Sequence, residues 1–581
     1  MATQEPDRPV PAQAARWSRA LPVIAGVALL AVVPACVFGF PEGHDFSYHL
    51  LTWMDNPLRV LLGAWAPLAN FGFGEPRFIF YPPLPALLGS AIWSVLPPNA
   101  VPETYAFLTL ALAGTAMFAL ARQWFPPAHA VAAAVFYAVN PYFLLCLYQR
   151  STFPELLANA FCPWLLLFAV RSGENSRALA PLAVVLAAFW ISDLPAAVLA
   201  TYALAWLIVV GAVWRRSWRA LVRGAISVSL GLALAAFYIL PAAYEQRWVN
   251  VSDAFLPSRP QNWRLSWVVD PIWQLAWFTV IVSTIVVVQV VLAAVAAGFS
   301  WRWGRERGAA WGMVIALAGV STFMLLPPAS NVVWEYLPKL EFVQFPWRCL
   351  ALQTLCLVVL TTAALARYRV RWLIITAGAL VLAAGAASGV SASYAPGFPA
   401  ILRNTARVYG GYIGDTKFMP LNADAEVLWA AHNMPEALVT MPNAAIRVLR
   451  WEAESATLLI HSPAPTEVVL RRMTYPAWRV TVNGQPVAAG SDSFARLTFL
   501  APAGSSRAEV SFVRTPDRLV GDAISALAVL LVAGILFAGA RKPGFLPPEA
   551  QESSALRGAG DGPEWRQNPL APAGDEESCQ D

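Results

Sequence analysis

Long apolar segments separated by short polar connectors dominate the sequence. A helix of about 20 apolar residues crosses the roughly 30 Å hydrocarbon core of a bilayer. Because many segments reach or approach that length, we predict about twelve full membrane spans and one partial span. The predicted spans cover residues 21–40, 83–98, 104–121, 127–146, 156–171, 178–191, 195–213, 220–243, 271–299, 309–327, 347–366, 372–393 and 519–540.

The run at 83–98 is the partial span. It is short, and prolines lie at both of its ends, at Pro82 and Pro83 and at Pro97 and Pro98. Two interpretations are open: a re-entrant or interfacial helix, or a span whose partner the pattern does not reveal. Non-helical backbone at membrane depth is tolerated where it is buried in protein or lines a water-filled cavity.

Basic residues give the predicted orientation, because positively charged connectors stay on the cytoplasmic side. With every basic connector inside, the spans alternate consistently from Arg122 onward, and both termini are cytoplasmic. Residues 1–20 are then a cytoplasmic N-terminus, and residues 541–581, rich in Gly, Pro, Glu and Ser, a disordered cytoplasmic tail. A signal peptide with a lipoprotein-like cleavage site at 33–36 is the alternative, which the many later spans disfavour.

The same orientation brings several polar connectors to the outer side, so polar groups converge on one face of the membrane. The longest of the early ones is the outer loop 41–82. The others cover residues 148–155, 192–195, 244–270 and 328–348.

Residues 394–518 form a separate periplasmic domain in this assignment. Within it, about 446–515 alternates apolar and polar residues between turn signals, as strands with one buried face do. Asn483-Gly484 lies between two such runs and is a strong hairpin signal. The predicted fold class is therefore an α-helical polytopic membrane protein of about 12–13 transmembrane helices. Its membrane domain covers 21–393, and its periplasmic α/β region ends in a small antiparallel β-sandwich.

Composition supports a membrane protein and excludes other classes. The chain is 58% hydrophobic and only 13% charged, far more apolar than a soluble domain. The formal net charge of +5 reflects the placement of Lys and Arg rather than a partner, so nucleic-acid binding has no support. The six cysteines contain no C-x-x-C spacing, which predicts small buried hydrophobes rather than disulfides or a zinc site.

Candidate chemistry begins directly after the first span. Asp45 lies at the predicted membrane interface, where a carboxylate can act as a general base on a lipid-linked substrate. Together with Glu155 it can also hold a divalent cation such as Mg²⁺ or Mn²⁺. A capping turn for the following helix is the alternative role of Asp45. His44 and His49 have no third metal ligand in sight, which disfavours a metal pair; we assign both to substrate binding.

The other candidates lie on later outer loops or close the first one. Glu155 would be the second carboxylate across the cavity, because an ionisable residue facing a bundle interior is functional by default. Arg150 would contact a phosphate. Arg77 and Tyr81 belong to the proline-rich end of the first loop, whose alternative role is structural. Asp193 is the weaker acid, because Ser-Asp-Leu-Pro is also typical of a turn.

Arg348 enters a predicted span directly after an aromatic-proline segment. A guanidinium group there can contact a phosphate or diphosphate through two parallel hydrogen bonds. The alternative is a long side chain that reaches toward lipid headgroups.

Several short segments occur in an order that resembles a known family. They are GHDFSYHL, FIFYPPLP, QRSTFPE, QFPWR, YPAWRVTVNGQPV and TPDRLVGDAIS. The resemblance covers about residues 20–540. It is to the bacterial membrane family described as 6-pyruvoyl-tetrahydropterin synthase-related, which is similar to the YfhO-type proteins. More broadly, the chain resembles the polytopic GT-C glycosyltransferase superfamily.

The resemblance implies a glycosyltransferase of the bacterial inner membrane. Such an enzyme takes a sugar from a polyprenyl-phosphate-linked donor and passes it to an envelope glycan, lipid or protein at the periplasmic face. It implies catalytic roles for Asp45 and Glu155 and places Arg348 near the lipid phosphate. Two departures bear on this: residue 155 is Glu where many GT-C enzymes have Asp, and residues 416–420 lack a Glu-Tyr-Leu-Pro pattern.

Two other function classes remain open from the sequence. A transporter or flippase of lipid-linked envelope precursors would use the intramembrane acids for proton coupling. The large outer domain and the lack of an obvious inverted repeat disfavour it. A non-catalytic assembly factor would bind another envelope protein through its β-domain.

Overall fold

The fold is mostly helical, with a β region close to the C-terminus. The computed structural model describes residues 11–55, 64–250, 276–305, 308–366, 397–421 and 423–540. The predicted span at 372–393 and the predicted tail at 541–581 lie outside these residues.

The helices follow the apolar runs of the sequence. In chain order they are α1 (Pro11–Phe38), α2 (Phe46–Met54), α3 (Arg77–Phe80), α4 (Pro83–Val95), α5 (Val101–Ala121), α6 (Pro127–Ala138), α7 (Pro141–Leu145), α8 (Phe153–Ala160), α9 (Cys162–Ser172), α10 (Leu179–Trp190), α11 (Leu194–Trp214), α12 (Trp218–Leu234), α13 (Ala236–Glu245), α14 (Ala276–Arg305), α15 (Gly308–Met324), α16 (Pro327–Tyr336), α17 (Leu350–Ala364), α18 (Phe398–Val408), α19 (Ala425–Ala430) and α20 (Pro516–Ala540).

Membrane-crossing length is reached repeatedly in the described part of the chain. Eight helices there are long and apolar enough to cross a bilayer, or up to ten if each of two bent helix pairs is one span. The bent pairs are α12 with α13, at 68°, and α15 with α16, at 91°. The chain is therefore a multi-pass membrane protein.

The finer prediction of twelve to thirteen spans exceeds this number for identifiable reasons. The run at 83–98 forms the 13-residue helix α4, in which Pro83 and Pro85 occupy the first turn, where proline is tolerated. The run at 178–191 forms the short apolar helix Ser176–Trp190. Both helices are shorter than a full span.

The helices share one apolar core. Its largest fully buried side chains include Trp53, Tyr105 and Phe143. Cys146 and Cys162 are free thiols within it. Dispersion contacts of this kind, rather than hydrophobic exclusion from water, hold apolar helices together inside lipid.

The β region, residues 437–512, contains two antiparallel sheets. One sheet has the order β1-β4-β8-β7, and the other has the order β2-β3-β9-β5-β6. The strands are β1 (Ala437–Val439), β2 (Ala445–Trp451), β3 (Ser455–Ser462), β4 (Thr466–Met473), β5 (Trp478–Val482), β6 (Gln485–Val487), β7 (Gly490–Ser491), β8 (Arg496–Ala501) and β9 (Gly504–Phe512). The predicted antiparallel β region is confirmed, although it begins earlier than residue 446.

The predicted hairpin at Asn483-Gly484 is also confirmed. Val482 pairs with Gln485 across a two-residue turn, and Asn483 and Gly484 have φ values of +52° and +79°. Both central residues are left-handed, as a type I′ turn requires, and Asn-Gly is the pair that adopts this geometry at least cost.

Side chains from the first loop complete the core of the β region. Trp65 packs edge-on against Trp478 at 5.2 Å between ring centroids. The backbone N–H of Met473 donates to the carbonyl of Phe73 at 2.9 Å. The first loop is therefore held between the helices and the β region, which fixes the position of the segment that carries the candidate residues.

Candidate functional site

The first loop and the second connector meet in the structure. The backbone N–H of Asp45 donates to the carbonyl of Arg150 at 3.0 Å, and that of Gly43 donates to Ser151 Oγ at 3.2 Å. A Cβ atom at Gly43 would lie 2.4 Å from the same Oγ. Only glycine fits at this contact, so Gly43 allows Asp45 to lie beside Arg150.

A π-helical turn places the charged residues of the second connector. This turn, Cys146–Arg150, ends at Ser151, whose φ of +52° is left-handed. Helix α8 then begins at Phe153, so Glu155 lies in its first turn. Widened π turns inside membrane helices often mark functional sites. Here the turn and the break after it bring the Arg150 and Glu155 side chains together.

Glu155 holds two arginines in what we call the arginine–glutamate cluster, formed by Tyr142, Arg150, Glu155 and Arg348. Arg150 Nη1 lies 2.6 Å from Glu155 Oε2, and Arg348 Nε lies 3.4 Å from the same oxygen. The Tyr142 hydroxyl donates to Oε1. Glu155 is only 3% exposed, and both of its oxygens are occupied. Its chemistry here is that of an anchor for two cations.

Asp45 has the opposite environment. It is half-buried, precedes α2, and makes no side-chain capping bond to that helix. The capping role considered from the sequence is therefore not seen. No described residue donates a hydrogen bond to its carboxylate or pairs with it within 4 Å. The Asp45 carboxylate, which has no partner among the described residues, thus lies next to the arginine–glutamate cluster.

The buried His49 contacts the half-buried Tyr81. The Tyr81 hydroxyl and His49 Nδ1 are 3.0 Å apart. Burial lowers the pKa of His49 to about 4, although the nearby charge of Asp45 opposes the shift. The ring is neutral near pH 7, and it can orient the Tyr81 hydroxyl.

Aromatic rings surround the exposed side of His44. Its ring meets Phe278 edge-on at 5.2 Å, and Phe278 meets Trp347 at 5.7 Å. Trp347 stacks on Phe345 at 4.1 Å. Phe345 and Trp347 lie directly before Arg348 in the chain, and Phe278 contacts Trp347. An apolar wall therefore adjoins the charged cluster.

Asp193 caps a helix and also belongs to the electrostatic field of the cluster. Its Oδ2 accepts from the N–H of Ala196 at 2.9 Å in the first turn of α11. Burial raises the pKa of Asp193 to about 6; the charge of Arg348 opposes this shift, and Glu155 adds to it. Asp193 therefore lies at the turn before α11, as its sequence context indicated, and its role in substrate binding stays a prediction.

Arg77 lies in a second buried cluster. Its guanidinium contacts Glu75 Oε1 at 2.7 Å, Thr52 Oγ1 at 3.1 Å and the Tyr412 hydroxyl at 2.9 Å. That hydroxyl donates to Asp55. Because every partner is a side chain of the protein, Arg77 ties the first loop to the segment after residue 397 rather than presenting a cation to a ligand.

Glu75 completes that second cluster. Burial raises the pKa of its carboxyl group, and the adjacent Arg77 opposes the shift. Its Oε2 accepts from Asn70 at 3.1 Å and from the backbone of Asp415 at 3.2 Å. A Cβ at Gly414 would lie 2.3 Å from this oxygen, so the chain approaches Glu75 at a glycine.

Sequence reasoning missed several residues that the clusters require. Tyr142 is the clearest, because a tyrosine within an apolar run carries no sequence mark of its partner. Glu245 and Arg518 form a further buried pair, with Nε to Oε1 at 2.7 Å and Nη2 to Oε2 at 2.8 Å. The sequence feature that could have revealed this pair is Glu245 itself, a lone acid at the end of an apolar run.

The space inside the arginine–glutamate cluster is small. A cavity of about 10 Å³ lies beside Glu155 and Arg348 and is closed by side chains such as Asn159 and Leu199. That volume suits about one water molecule. A larger substrate would therefore meet the cluster from the side of Asp45 and the aromatic wall.

The predicted cation site rests on two carboxylates, Asp45 and Glu155. Within the described ranges, no three His, Cys, Asp or Glu side chains lie close enough to share a metal ion. Both Glu155 oxygens accept a hydrogen bond, one from Tyr142 and the other from Arg150. The Mg²⁺ or Mn²⁺ ion stays a prediction, and no step below passes through it.

Comparison with known proteins adds no assignment: no protein-family model matches the chain, and no curated protein matches it significantly.

Proposed function

We propose that the chain is a GT-C-type glycosyltransferase that moves a sugar from a polyprenyl-phosphate-linked donor to a cell-envelope acceptor at the periplasmic face of the bacterial inner membrane. The main support for this proposal is that a carboxylate without a partner lies next to two arginines held by a buried glutamate. The unoccupied Asp45 carboxylate is joined through its backbone to Arg150, and Arg150 and Arg348 are held together by Glu155.

Each part has a role in glycosyl transfer. Asp45 accepts the proton of the acceptor hydroxyl as that oxygen bonds to the anomeric carbon of the sugar. The bond between the anomeric carbon and the phosphate oxygen breaks, and the phosphate leaves with the electron pair. Arg150 and Arg348 stabilise the charge that develops on the departing phosphate.

Glu155 acts on the arginines in this scheme rather than on the substrate. A buried carboxylate lowers the cost of keeping two guanidinium groups out of water. It also fixes their positions before the donor arrives, which is the condition for electrostatic stabilisation of a transition state. The wall of Phe278, Phe345 and Trp347 offers an apolar surface for the first isoprenyl units of the donor.

The test compares Asp45→Asn with Glu42→Gln, a matched change at an exposed acid of the same loop. Each full-length variant is expressed in a deletion strain, folding is checked by thermal melting, and envelope glycans are analysed by mass spectrometry. Loss of general-base catalysis lowers the rate by about 10²–10⁴-fold, so Asp45→Asn should abolish the glycan product. Glu42→Gln should leave it unchanged.

Wild-type glycans from a well-folded Asp45→Asn variant would remove Asp45 from the mechanism. The flippase alternative uses the same buried charges and is separated by a reconstituted assay. Movement of a lipid-linked sugar across proteoliposomes without any new glycosidic bond would favour transport.

A further inference from the structure

A second cavity lies on the β region, apart from the arginine–glutamate cluster. It has a volume of about 300 Å³, within the range of sites that bind small molecules. The first loop closes one side, and strands β2 and β4 close the other. Its walls include Trp65, Trp451, Glu452, Ala453, Arg471 and Arg472. The Glu452 carboxylate accepts hydrogen bonds from Arg450 and Ser455.

Arg472 is a buried cation without a close counter-charge. It is 2% exposed, and no carboxylate among the described residues lies within ion-pair distance of it. Burial lowers its pKa to about 9. Its Nε has no hydrogen-bond partner in the described part of the chain. A buried guanidinium with an unused donor is costly unless a ligand or water supplies an acceptor.

Rigid contacts hold the Arg472 side chain in place. Its Nη1 donates to the carbonyl of Ala453 at 2.6 Å, and its Nη2 donates to that of Ser455 at 2.9 Å. The guanidinium carbon lies 4.3 Å from the Trp451 ring centroid and 4.7 Å from that of Trp478. These hydrogen bonds and the two cation–π contacts hold the guanidinium group in position.

Arg471 adds a second guanidinium group to the wall of the same cavity. Its Nη1 donates to the carbonyl of Met434 at 3.3 Å, and its buried Nε has no partner among the described residues. Consecutive side chains of a regular strand point to opposite faces. The pairing of β4 with β8 is irregular between Val469 and Met473, and such irregularities re-aim side chains. Both arginines can therefore line one cavity.

We propose that this cavity binds a small sugar that carries an oxyanion, either a carboxylate or a phosphate. The two arginine side chains on the cavity wall match the oxyanion, and the indole surfaces of Trp65 and Trp451 match the apolar face of a sugar ring. The proposal does not rest on glycosyl transfer, because binding is measured without turnover.

The experiment uses the purified full-length protein in lipid nanodiscs and ligand-observed NMR. The probes are glucuronate, glucose 1-phosphate, glucose and inorganic phosphate. Glucuronate or glucose 1-phosphate should bind at least about tenfold more tightly than glucose, because each charge-assisted hydrogen bond raises the affinity by a factor of about ten or more. Comparison of these two sugars identifies the preferred oxyanion, and inorganic phosphate tests whether the sugar ring is needed.

Two variants and a matched control locate the binding. Arg471→Met removes one guanidinium group from the cavity wall, and Ala453→Phe adds a ring where Ala453 lines the cavity. Each should weaken binding at least about tenfold. Arg447→Met changes an exposed arginine of the same region and should bind as the wild type does. Thermal melting confirms folding, and Ala453→Phe carries the test if Arg471→Met is unstable.

Three results would overturn the proposal. The first is equal binding of glucose and the anionic sugars to the wild type. The second is the absence of binding by every probe at millimolar concentration. The third is unchanged binding to folded Ala453→Phe, which would place the ligand elsewhere.

Discussion

Asp45 and Glu155 are carboxylates at the same end of the helices, yet their surroundings give them different chemistry. Glu155 is buried and meets Tyr142 and two arginines. Asp45 is half-buried, and its carboxylate has no partner in the described residues. A general base needs a free carboxylate, whereas an anchor needs every oxygen engaged. The sequence marked both as acids and could not separate these roles.

Removing the Glu155 charge should destabilise the protein strongly. Glu155→Gln leaves Arg150 and Arg348 buried without a counter-charge, and breaking a buried pair costs about 3–5 kcal/mol. Glu174→Gln is the control, because that side chain is 67% exposed in its pair with Arg215 and should contribute at most about 1 kcal/mol. Thermal melting in nanodiscs measures both. Equal, small shifts would show that Glu155 does not hold the arginines.

His49 should make the folded protein sensitive to acid. Its pKa is about 4 when folded and about 6.5 when unfolded, so the unfolded chain binds the extra proton between these values. Keeping His49 neutral contributes up to about 3 kcal/mol to the free energy of unfolding. This contribution is complete above pH 6.5 and is lost as the pH falls toward 4. Melting temperatures of wild type and His49→Gln should therefore converge or cross in acid.

The control for this pH profile is His461→Gln, a change at an exposed histidine of β3. Its melting curve should follow that of the wild type at every pH. Asp193 contributes in the opposite direction, because its raised pKa favours the folded state at low pH. It is present in all three proteins and cancels in the comparison. Parallel profiles for wild type and His49→Gln would contradict the buried neutral imidazole.

At the scale of elements, local patterns predicted some features and long-range pairing decided others. Asn483-Gly484 specifies its own turn, because both residues tolerate positive φ, and this hairpin was predictable. The π turn at 146–150 was not, because its widened geometry depends on how Arg150 and Ser151 pack against the first loop. Contacts between residues about a hundred positions apart leave no periodic mark in either segment.

The junction between α13, the β region and α20 depends on Glu245. Its carboxylate is fully buried and accepts from Arg518 through two hydrogen bonds, from Tyr475 at 2.6 Å and from Thr515 at 3.0 Å. One side chain therefore connects three elements that are distant in sequence. This connection fixes the β region relative to the helices.

Arg518→Met should loosen that junction. The change removes both donors of the bidentate pair and leaves Glu245 buried with two neutral partners. The free energy of unfolding should therefore fall by several kcal/mol, and the melting temperature should fall with it. Limited proteolysis should also cut faster near residue 514. Arg514→Met is the control, because Arg514 is 54% exposed in its pair with Asp522. Unchanged protease resistance of Arg518→Met would contradict the role of Glu245.

At the scale of the whole molecule, hydropathy identified the membrane class, and the described spans confirm it. Charge placement predicted that polar connectors converge on one face of the membrane. The structure places Asp45 beside Arg150, and Arg150 and Arg348 beside Glu155. The pattern could not reveal that Arg77 pairs with Glu75 and Tyr412, since that cluster joins residues more than three hundred positions apart. Such contacts arise from tertiary packing, which periodicity does not encode.

We propose that Asp45 and the two arginines form one donor site. An experimental structure of the full-length protein with a polyprenyl-phosphate analogue tests this proposal most directly. We expect the phosphate within about 3 Å of an Arg150 or Arg348 nitrogen, beside Asp45, with its lipid chain along Phe278 and Trp347. An ordered phosphate far from all three charged residues would contradict it.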